Sequence, residues 1–432
     1  MPNKKRFHGG LICALPYRNE SHFSLFMRML NNPTCKISEI SYKSLYGFIF
    51  RLEIDKPADP TDEQTIVPFL KLNDEKTQYD VPVYSIVIKL VLLNDPDSGL
   101  ESMLLTNYKL YEWMNIFKKT TSFNEFAEEI KTQSEVYKNT MLSGEPICPS
   151  IVSSAYLKAN VAESLLTIMR NKADKKDASL SMLNYISQEI NKSNKNVILG
   201  VIAMESVTEY TTVYKYLFQI ESTMVGSLGS FFIKSPKEEI LLKILFLVLR
   251  MYYETGYIHG DLHRNNAMIK RDAKKKTDIQ LIDFGIKIGD GIPKHANYDD
   301  IIRGYGEITE EDIEDDLNYI GIEEEQYSVS VGHEPYSRIL NYMVTYNKYK
   351  MKDFGKLYKN LCELFHNFSI KYLSNEQFQK DMKDYADCYK TIKPVDVTIN
   401  DLVTKVEAPR SGGKNTRNLR KRIRKSIKRN TK

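Results

Sequence analysis

The chain has 432 residues, 42% hydrophobic and 11% aromatic with 28 Tyr, which excludes a disordered protein and allows a large two-lobed core. The formal charge of +5 hides an asymmetry: eleven of the 61 Lys and Arg lie in residues 410–432 without one acid, leaving 50 bases against 56 acids, a net of −6, elsewhere. Five cysteines without metal-ligand spacing read as reduced thiols. The longest apolar run, 240–253, is too short for a membrane span and is broken by Lys243 and Arg250, and no secretory apolar core follows Met-Pro-Asn-Lys-Lys-Arg.

Residues 37–54 alternate apolar and polar around Gly47, the pattern of a hairpin. Residues 55–80, rich in Pro, Asp, Glu and Thr, read as a long loop. Residues 83–93 (Val-Tyr-Ser-Ile-Val-Ile-Lys-Leu-Val-Leu-Leu) form a β-rich run with a single charge, Lys89, in the middle. A helix follows over 123–141, with Ser122 as N-cap and Glu125 closing a capping box. Pro146 interrupts the pattern. Residues 161–183 are helical around a polar patch at 171–179, and 197–204 is another apolar strand. The polar, aromatic stretch 208–216 suits a connection between lobes. Ser235, Pro236, Glu238 and Glu239 open a strong helix over 236–257 that Gly256 stops. Further on come an acidic stretch at 310–325 and helices near 336–349, 354–368 and 376–389. Strands first and helices later, joined by a short connector, make a two-lobe α+β pattern.

The chemistry is concentrated in Tyr257-Ile258-His259-Gly260-Asp261-Leu262-His263-Arg264-Asn265-Asn266-Ala267-Met268-Ile269 and Leu281-Ile282-Asp283-Phe284-Gly285. Asp261 precedes Asn266 by five residues and Asp283 by twenty-two. The first carboxylate can orient or deprotonate an attacking hydroxyl, and the amide and second carboxylate are oxygen ligands suited to Mg²⁺ on a nucleotide triphosphate. A strand at 267–269, a polar turn and a return strand at 279–282 would bring Asn266 and Asp283 to one end of a hairpin.

These motifs resemble the protein-kinase-like superfamily, with its His-Arg-Asp-x-x-x-x-Asn catalytic loop and Asp-Phe-Gly metal loop, and in particular atypical Ser/Thr protein kinases encoded by large nucleocytoplasmic DNA viruses. The resemblance implies a small β-rich N-lobe over residues 36–207, with insertions near 55–80 and 160–196, behind an extension at 1–35. It implies a larger helical C-lobe over 208–395, with 396–432 as linker and basic disordered tail. It implies ATP and Mg²⁺ as cofactors, Asp261 as catalytic base, and Asn266 and Asp283 as metal ligands. Lys89 would hold the α- and β-phosphates, with Lys71 as a rival, and would pair with Glu129, for which Glu128 and Glu135 compete. His263 stands where many protein kinases carry a Lys that reaches the γ-phosphate. Gly47 is the surviving glycine of a phosphate-covering loop and Ile49 would roof the adenine. Met204, Glu205 and Val207 would form the hinge that reads its edge. Gly260 replaces the Arg that reads a phosphorylated activation loop, so activation by such a phosphate is not expected.

The expected activity is transfer of the γ-phosphate of ATP to a Ser/Thr hydroxyl of a protein inside a cell, host cytoplasm or virion. A small-molecule phosphotransferase of aminoglycoside or choline type, or a pseudokinase scaffold, are the alternatives. The tail at 410–432 suits contact with a polyanion such as nucleic acid.

Overall fold

The computed structural model describes residues 12–13, 22–41, 46–56, 69–72, 79–95, 108–111, 114–116, 119–192, 196–207, 209–224, 236–262, 265–271, 277–289, 291–293, 354–384 and 391–402. His263, Ser235, the acidic stretch at 310–325, the helix expected near 336–349 and the basic tail lie outside these residues.

In chain order the small lobe contains β1 (Ile12–Cys13), α1 (His22–Leu30), β2 (Lys36–Ser41), β3 (Phe48–Glu53), β4 (Leu70–Leu72), β5 (Tyr79–Pro82), β6 (Ser85–Asn94), β7 (Tyr108–Tyr111), β8 (Met114–Ile116), α2 (Phe123–Ser143), β9 (Ile151–Leu157), α3 (Ala159–Lys172), α4 (Ser179–Lys192) and β10 (Val197–Glu205). The large lobe follows with β11 (Thr211–Thr212), α5 (Val213–Met224), α6 (Pro236–Thr255), β12 (Tyr257–His259), β13 (Ala267–Arg271), β14 (Thr277–Leu281), β15 (Lys287–Gly289), α7 (Phe354–Phe368), a π-helical turn at Ser369–Leu373 and α8 (Glu376–Asp384). The chain ends its described course with β16 (Val395–Asp396) and α9 (Ile399–Leu402).

The small lobe is built on a six-stranded sheet in the order β16-β9-β10-β6-β3-β2, antiparallel except where β16 runs parallel to β9. Successive side chains of β6 point to opposite faces, and both faces are covered. Ile86, Ile88, Leu90 and Leu92 join Phe26, Leu165 and Leu183 from α1, α3 and α4 in one core. Val91 and Leu93 face the other way and meet Phe126 and Ile130 of α2. This double burial explains why β6 reads as a nearly unbroken apolar run. At Gly200 an added Cβ would lie 2.8 Å from both Leu93 and Phe126, so only glycine admits the Phe126 ring here.

Helix α2 begins at the expected capping box: Ser122 Oγ accepts from Glu125 N–H, and Glu125 Oε2 accepts from Ser122 N–H. Its second half enters the large lobe. Val136, Tyr137 and Met141 are buried with Ile244, Leu245, Val248 and Leu249 of α6 and Phe365 of α7. α2 is thus shared by two cores, one in each lobe.

Two stretches depart from the expectations: residues 55–80, expected as a long loop, contain β4 and the start of β5, and residues 395–402 leave the C-lobe. The 1–35 extension contains α1, which is packed against β9. The stretch at 161–183, expected to be helical around a polar patch at 171–179, is two helices that break at that patch and cover the outer face of the sheet. Residues 395–402, expected as the end of the C-lobe and the start of a linker, return to the small lobe. There Val395 and Asp396 pair with Ala155 and Tyr156, and Val397 and Leu402 are buried in the α1/α3 core. Apolar burial draws them in, which two scattered apolar residues in a polar stretch did not announce.

Candidate active site

Lys89 sits in the middle of β6, paired across the sheet with Ile49 of β3 and Ile202 of β10. Its side chain projects on the α2 face and is almost fully buried. A buried ammonium needs an anionic partner. Lys89 Nζ lies 2.6 Å from Glu129 Oε1 and 3.4 Å from Asp283 Oδ1. The rival glutamates are engaged elsewhere: Glu128 pairs with Lys287, and Glu135 accepts from the Tyr257 hydroxyl at 2.8 Å. Lys71 belongs to the separate β1-β4-β5 sheet.

The charges in this triad are interdependent. Burial opposes the Lys89 ammonium, but the Glu129 carboxylate and then Asp283 more than offset it, so Lys89 is raised above its ordinary range. Burial pushes Glu129 up against the pull of Lys89. Lys89 holds the Asp283 carboxyl below its usual range despite burial.

Strands β13 and β14 form the hairpin expected between the two motifs, with Ala267 opposite Leu281. Ile282 N–H donates to Asn266 O at 2.9 Å, so Asn266 and Asp283 return to the same end. Asn266 Nδ2 donates to Asp261 O at 2.8 Å; the amide oxygen, the atom a hard cation takes, is not used in that bond. The Asp261 side chain is exposed. His259 is fully buried beneath it, with Nε2 2.9 Å from Ile282 O and its ring 5.0 Å from that of Phe284. A carbonyl can only accept, so Nε2 carries the proton and Nδ1 can receive Asp261 N–H at 3.4 Å. One histidine thereby connects the loop that bears Asp261 to the strand end that bears Asp283.

Asp283 has φ +65°, and among the described residues it is the one non-glycine with positive φ. Such a conformation costs on the order of 1 kcal/mol and is concentrated at functional sites. Here it turns the carboxylate toward Lys89, and Gly285 N–H donates to that carboxylate.

The remaining candidates are placed as follows. Gly47 is buried over Lys89: an added Cβ would stand 3.2 Å from Lys89 Cε and 3.3 Å from Leu90 O. Ile49 is half-buried opposite Lys89. Met204 packs against the core that holds Ile202 and Phe126. Glu205 N–H donates to Ser150 O at 2.8 Å, and Val207 O accepts from Tyr210 N–H at 2.9 Å. At Gly260 an added Cβ would meet Ile286 Cγ2 at 2.8 Å, so no Arg fits without displacing Ile286. The sequence reading passed over Lys287, which joins the metal-loop side to α2, and over Arg250, whose interruption of an apolar helix was the visible signal. Among the described residues no group of three or more His, Cys, Asp or Glu side chains could hold a metal by itself, and no helix is long and apolar enough to cross a membrane.

Residues 221–302 match the model of the ABC1 atypical kinase-like domain. A stretch of the chain is 27% identical over 126 residues to Serine/threonine-protein kinase 1 of African swine fever virus from a Kenyan pig isolate, covering 26% of this chain and 41% of the viral protein. Its counterpart from a Malawian tick isolate is 28% identical over 114 residues, covering 24% and 37%. The chain therefore spans less than half the length of these curated relatives. These similarities, with the α+β lobes described above, relate the chain to atypical kinase-like proteins, viral kinases among them.

Proposed function

We propose that this chain is an ATP- and Mg²⁺-dependent atypical Ser/Thr protein kinase. The observation that carries the reading is the position of Lys89, held at once by Glu129 and Asp283 beside the hairpin end that bears Asn266. A scaffold has no use for a buried ammonium with this pair of partners.

In this reading Lys89 binds the α- and β-phosphates, and Glu129 fixes its orientation. Asp261 orients the acceptor hydroxyl and takes its proton. Asn266 and Asp283 supply an amide oxygen and a carboxylate, a donor set that fits Mg²⁺, which keeps waters and phosphate oxygens for the rest of its shell. When bound, Mg²⁺ would neutralise phosphate charge. Ile49 and Met204 line the adenine site, Gly47 covers the phosphates, and Glu205 and Val207 read the purine edge through the backbone. With the Val207 carbonyl taken by Tyr210, its N–H is the group offered to the ligand. His263 is assigned to the γ-phosphate on sequence alone. The protein works inside a cell, host cytoplasm or virion, and the basic run at 410–432 contacts a polyanion.

Incubation with labelled ATP and Mg²⁺, with and without a generic protein substrate, tests the reading, with Asp261→Asn as control. Label on Ser or Thr of the protein that the variant does not transfer is the expected result. Absence of transfer from the wild type to any acceptor would sink it. Gly260, closed off by Ile286, favours a second reading, since small-molecule phosphotransferases of this core lack the same Arg. Transfer to an aminoglycoside or choline but not to protein would decide for it.

A further inference from the structure

Arg250 lies in the apolar helix α6 and is 1% exposed. A guanidinium at that depth is costly unless every donor is used. Nε donates to Glu254 Oε1 at 3.1 Å, Nη1 to Glu145 O at 3.0 Å, and Nη2 to Thr140 O at 3.0 Å and Ser143 Oγ at 3.2 Å. Its Cζ lies over the Phe368 ring, 4.3 Å from the centroid.

All these partners except Glu254 and Phe368 lie at one place, the C-terminal end of α2. Thr140 to Ser143 are its last four residues, whose carbonyls lack a backbone N–H partner within the helix, and the helix dipole puts partial negative charge there. Two further contacts close the joint. Ser143 Oγ donates to Glu254, so the counter-ion of Arg250 also touches α2. At Gly144 a Cβ would stand 2.7 Å from Phe368 Cε2, so the chain leaves α2 flush against the ring over which Arg250 stacks.

We infer that Arg250 is a positioning residue for phosphoryl transfer: it fastens the end of α2 to the large lobe and thereby holds Glu129 against Lys89. The inference rests on the function proposed above for Glu129. From Thr140 back to Glu129 is eleven residues, about 16 Å of rigid helix, so a swing at the anchored end is carried directly to the Glu129 carboxylate. Along the way Tyr257 holds Glu135 and Lys287 holds Glu128, both from the β12–β15 pair that flanks the catalytic and metal loops. The large lobe therefore grips α2 at three levels, and Arg250 is the most deeply buried of the three. The fork of three nitrogens is the reason for Arg: an apolar residue would fill the space, but only the planar guanidinium fixes the helix end by direction.

The test compares Arg250→Met, and the milder Arg250→Lys should Met prevent folding, with Leu165→Ala, a buried change in α3 on the far face of the sheet. All are measured equally far below their own thermal midpoints. Hydrogen exchange of α2 peptides over 123–135 and the KM for Mg·ATP are read together. The Arg250 variants should exchange at least about tenfold faster over 123–135 and show KM raised about tenfold, while Leu165→Ala changes neither more than about twofold. Equal exchange in the Arg250 and Leu165 variants overturns the inference, as does faster exchange with an unchanged KM. A wild type without turnover defeats the kinase reading, and the exchange comparison then decides alone whether Arg250 fastens α2.

Discussion

The Asn266 amide donates to the Asp261 carbonyl across 2.8 Å. The loop between them is thus closed by the same side chain whose other atom is suited to a cation. Asp261 and Asn266 are held in one register, and His259 beneath ties that register to Ile282.

Asp261→Asn should lower phosphoryl transfer by at least about a hundredfold, the scale of losing a positioned base. The side chain is exposed and the loop is closed by the Asp261 backbone, so the thermal midpoint should stay within a degree or two. Steady-state turnover and calorimetry check both parts. Undiminished turnover removes Asp261 from the chemistry.

Asp283→Asn should abolish the Mg²⁺-dependent part of ATP affinity while leaving the fold nearly unchanged. Asn tolerates a positive φ, and Lys89 keeps its closer partner Glu129 at 2.6 Å, so the buried ammonium is not left without an anion. Asp283→Ala should lose the same affinity and additional stability, because Ala accepts φ +65° poorly. Titration with ATP, with and without Mg²⁺, reads the first effect and thermal melts the second. Equal Mg²⁺ dependence in wild type and Asn variant would place the metal elsewhere.

Lys89→Met leaves Glu129 buried without its cation, a loss of about 3–5 kcal/mol at neutral pH. Burial already raises the Glu129 pKa against the pull of Lys89, so removal of Lys89 raises it further. Between the unfolded Glu value, about 4.3, and that raised value, the native variant holds a proton that the unfolded chain has lost. Stability of the variant then falls as pH rises through this window and recovers on acidification. Thermal midpoints from pH 5 to 8 should show the gap to wild type narrowing at low pH. Parallel profiles would mean that Glu129 does not depend on Lys89.

Removal of residues 403–432 should leave the thermal midpoint unchanged, and removal of 391–432 should lower it by several degrees. Val397 and Leu402 are buried in the small-lobe core, and full burial of such side chains is worth about 1.5–3 kcal/mol each. The shorter truncation should also weaken binding to heparin or DNA and flatten its salt dependence, through loss of the eleven charges at 410–432. Identical melting of both truncations would deny β16 and α9 their place in the core.

The parts legible in the sequence are those whose signals are local. The Ser122–Glu125 box set the start of α2, the apolar run around Lys89 set β6, and the spacing from Asp261 to Asp283 anticipated the hairpin between Asn266 and Asp283. Other parts depend on long-range packing. β9 carries Ser153-Ser154 in its centre and shows no alternation, so its strand character comes from its place between β10 and β16. Helix α1 is only nine residues long and buries Phe23, Leu25, Phe26, Met27, Met29 and Leu30, with Ser24 and Arg28 together on the remaining face; this helical stripe was a signal that the sequence reading passed over. The pairing of Lys89 with Glu129 rather than Glu128 followed from which face of α2 meets the sheet. That face is fixed by Phe126 and Ile130, and Lys287 then occupies the neighbouring Glu128.

The return of β16 and α9 to the small lobe has a consequence for biosynthesis. β9 emerges from the ribosome more than two hundred residues ahead of the strand that covers its outer edge. Until residue 402 is made, the growing polypeptide carries an open sheet edge and an α1/α3 surface that lacks its last apolar residues, the kind of template on which nascent chains associate. Completion of the first lobe is thereby delayed until residue 402 has been made, and products interrupted before it would retain an unfinished sheet.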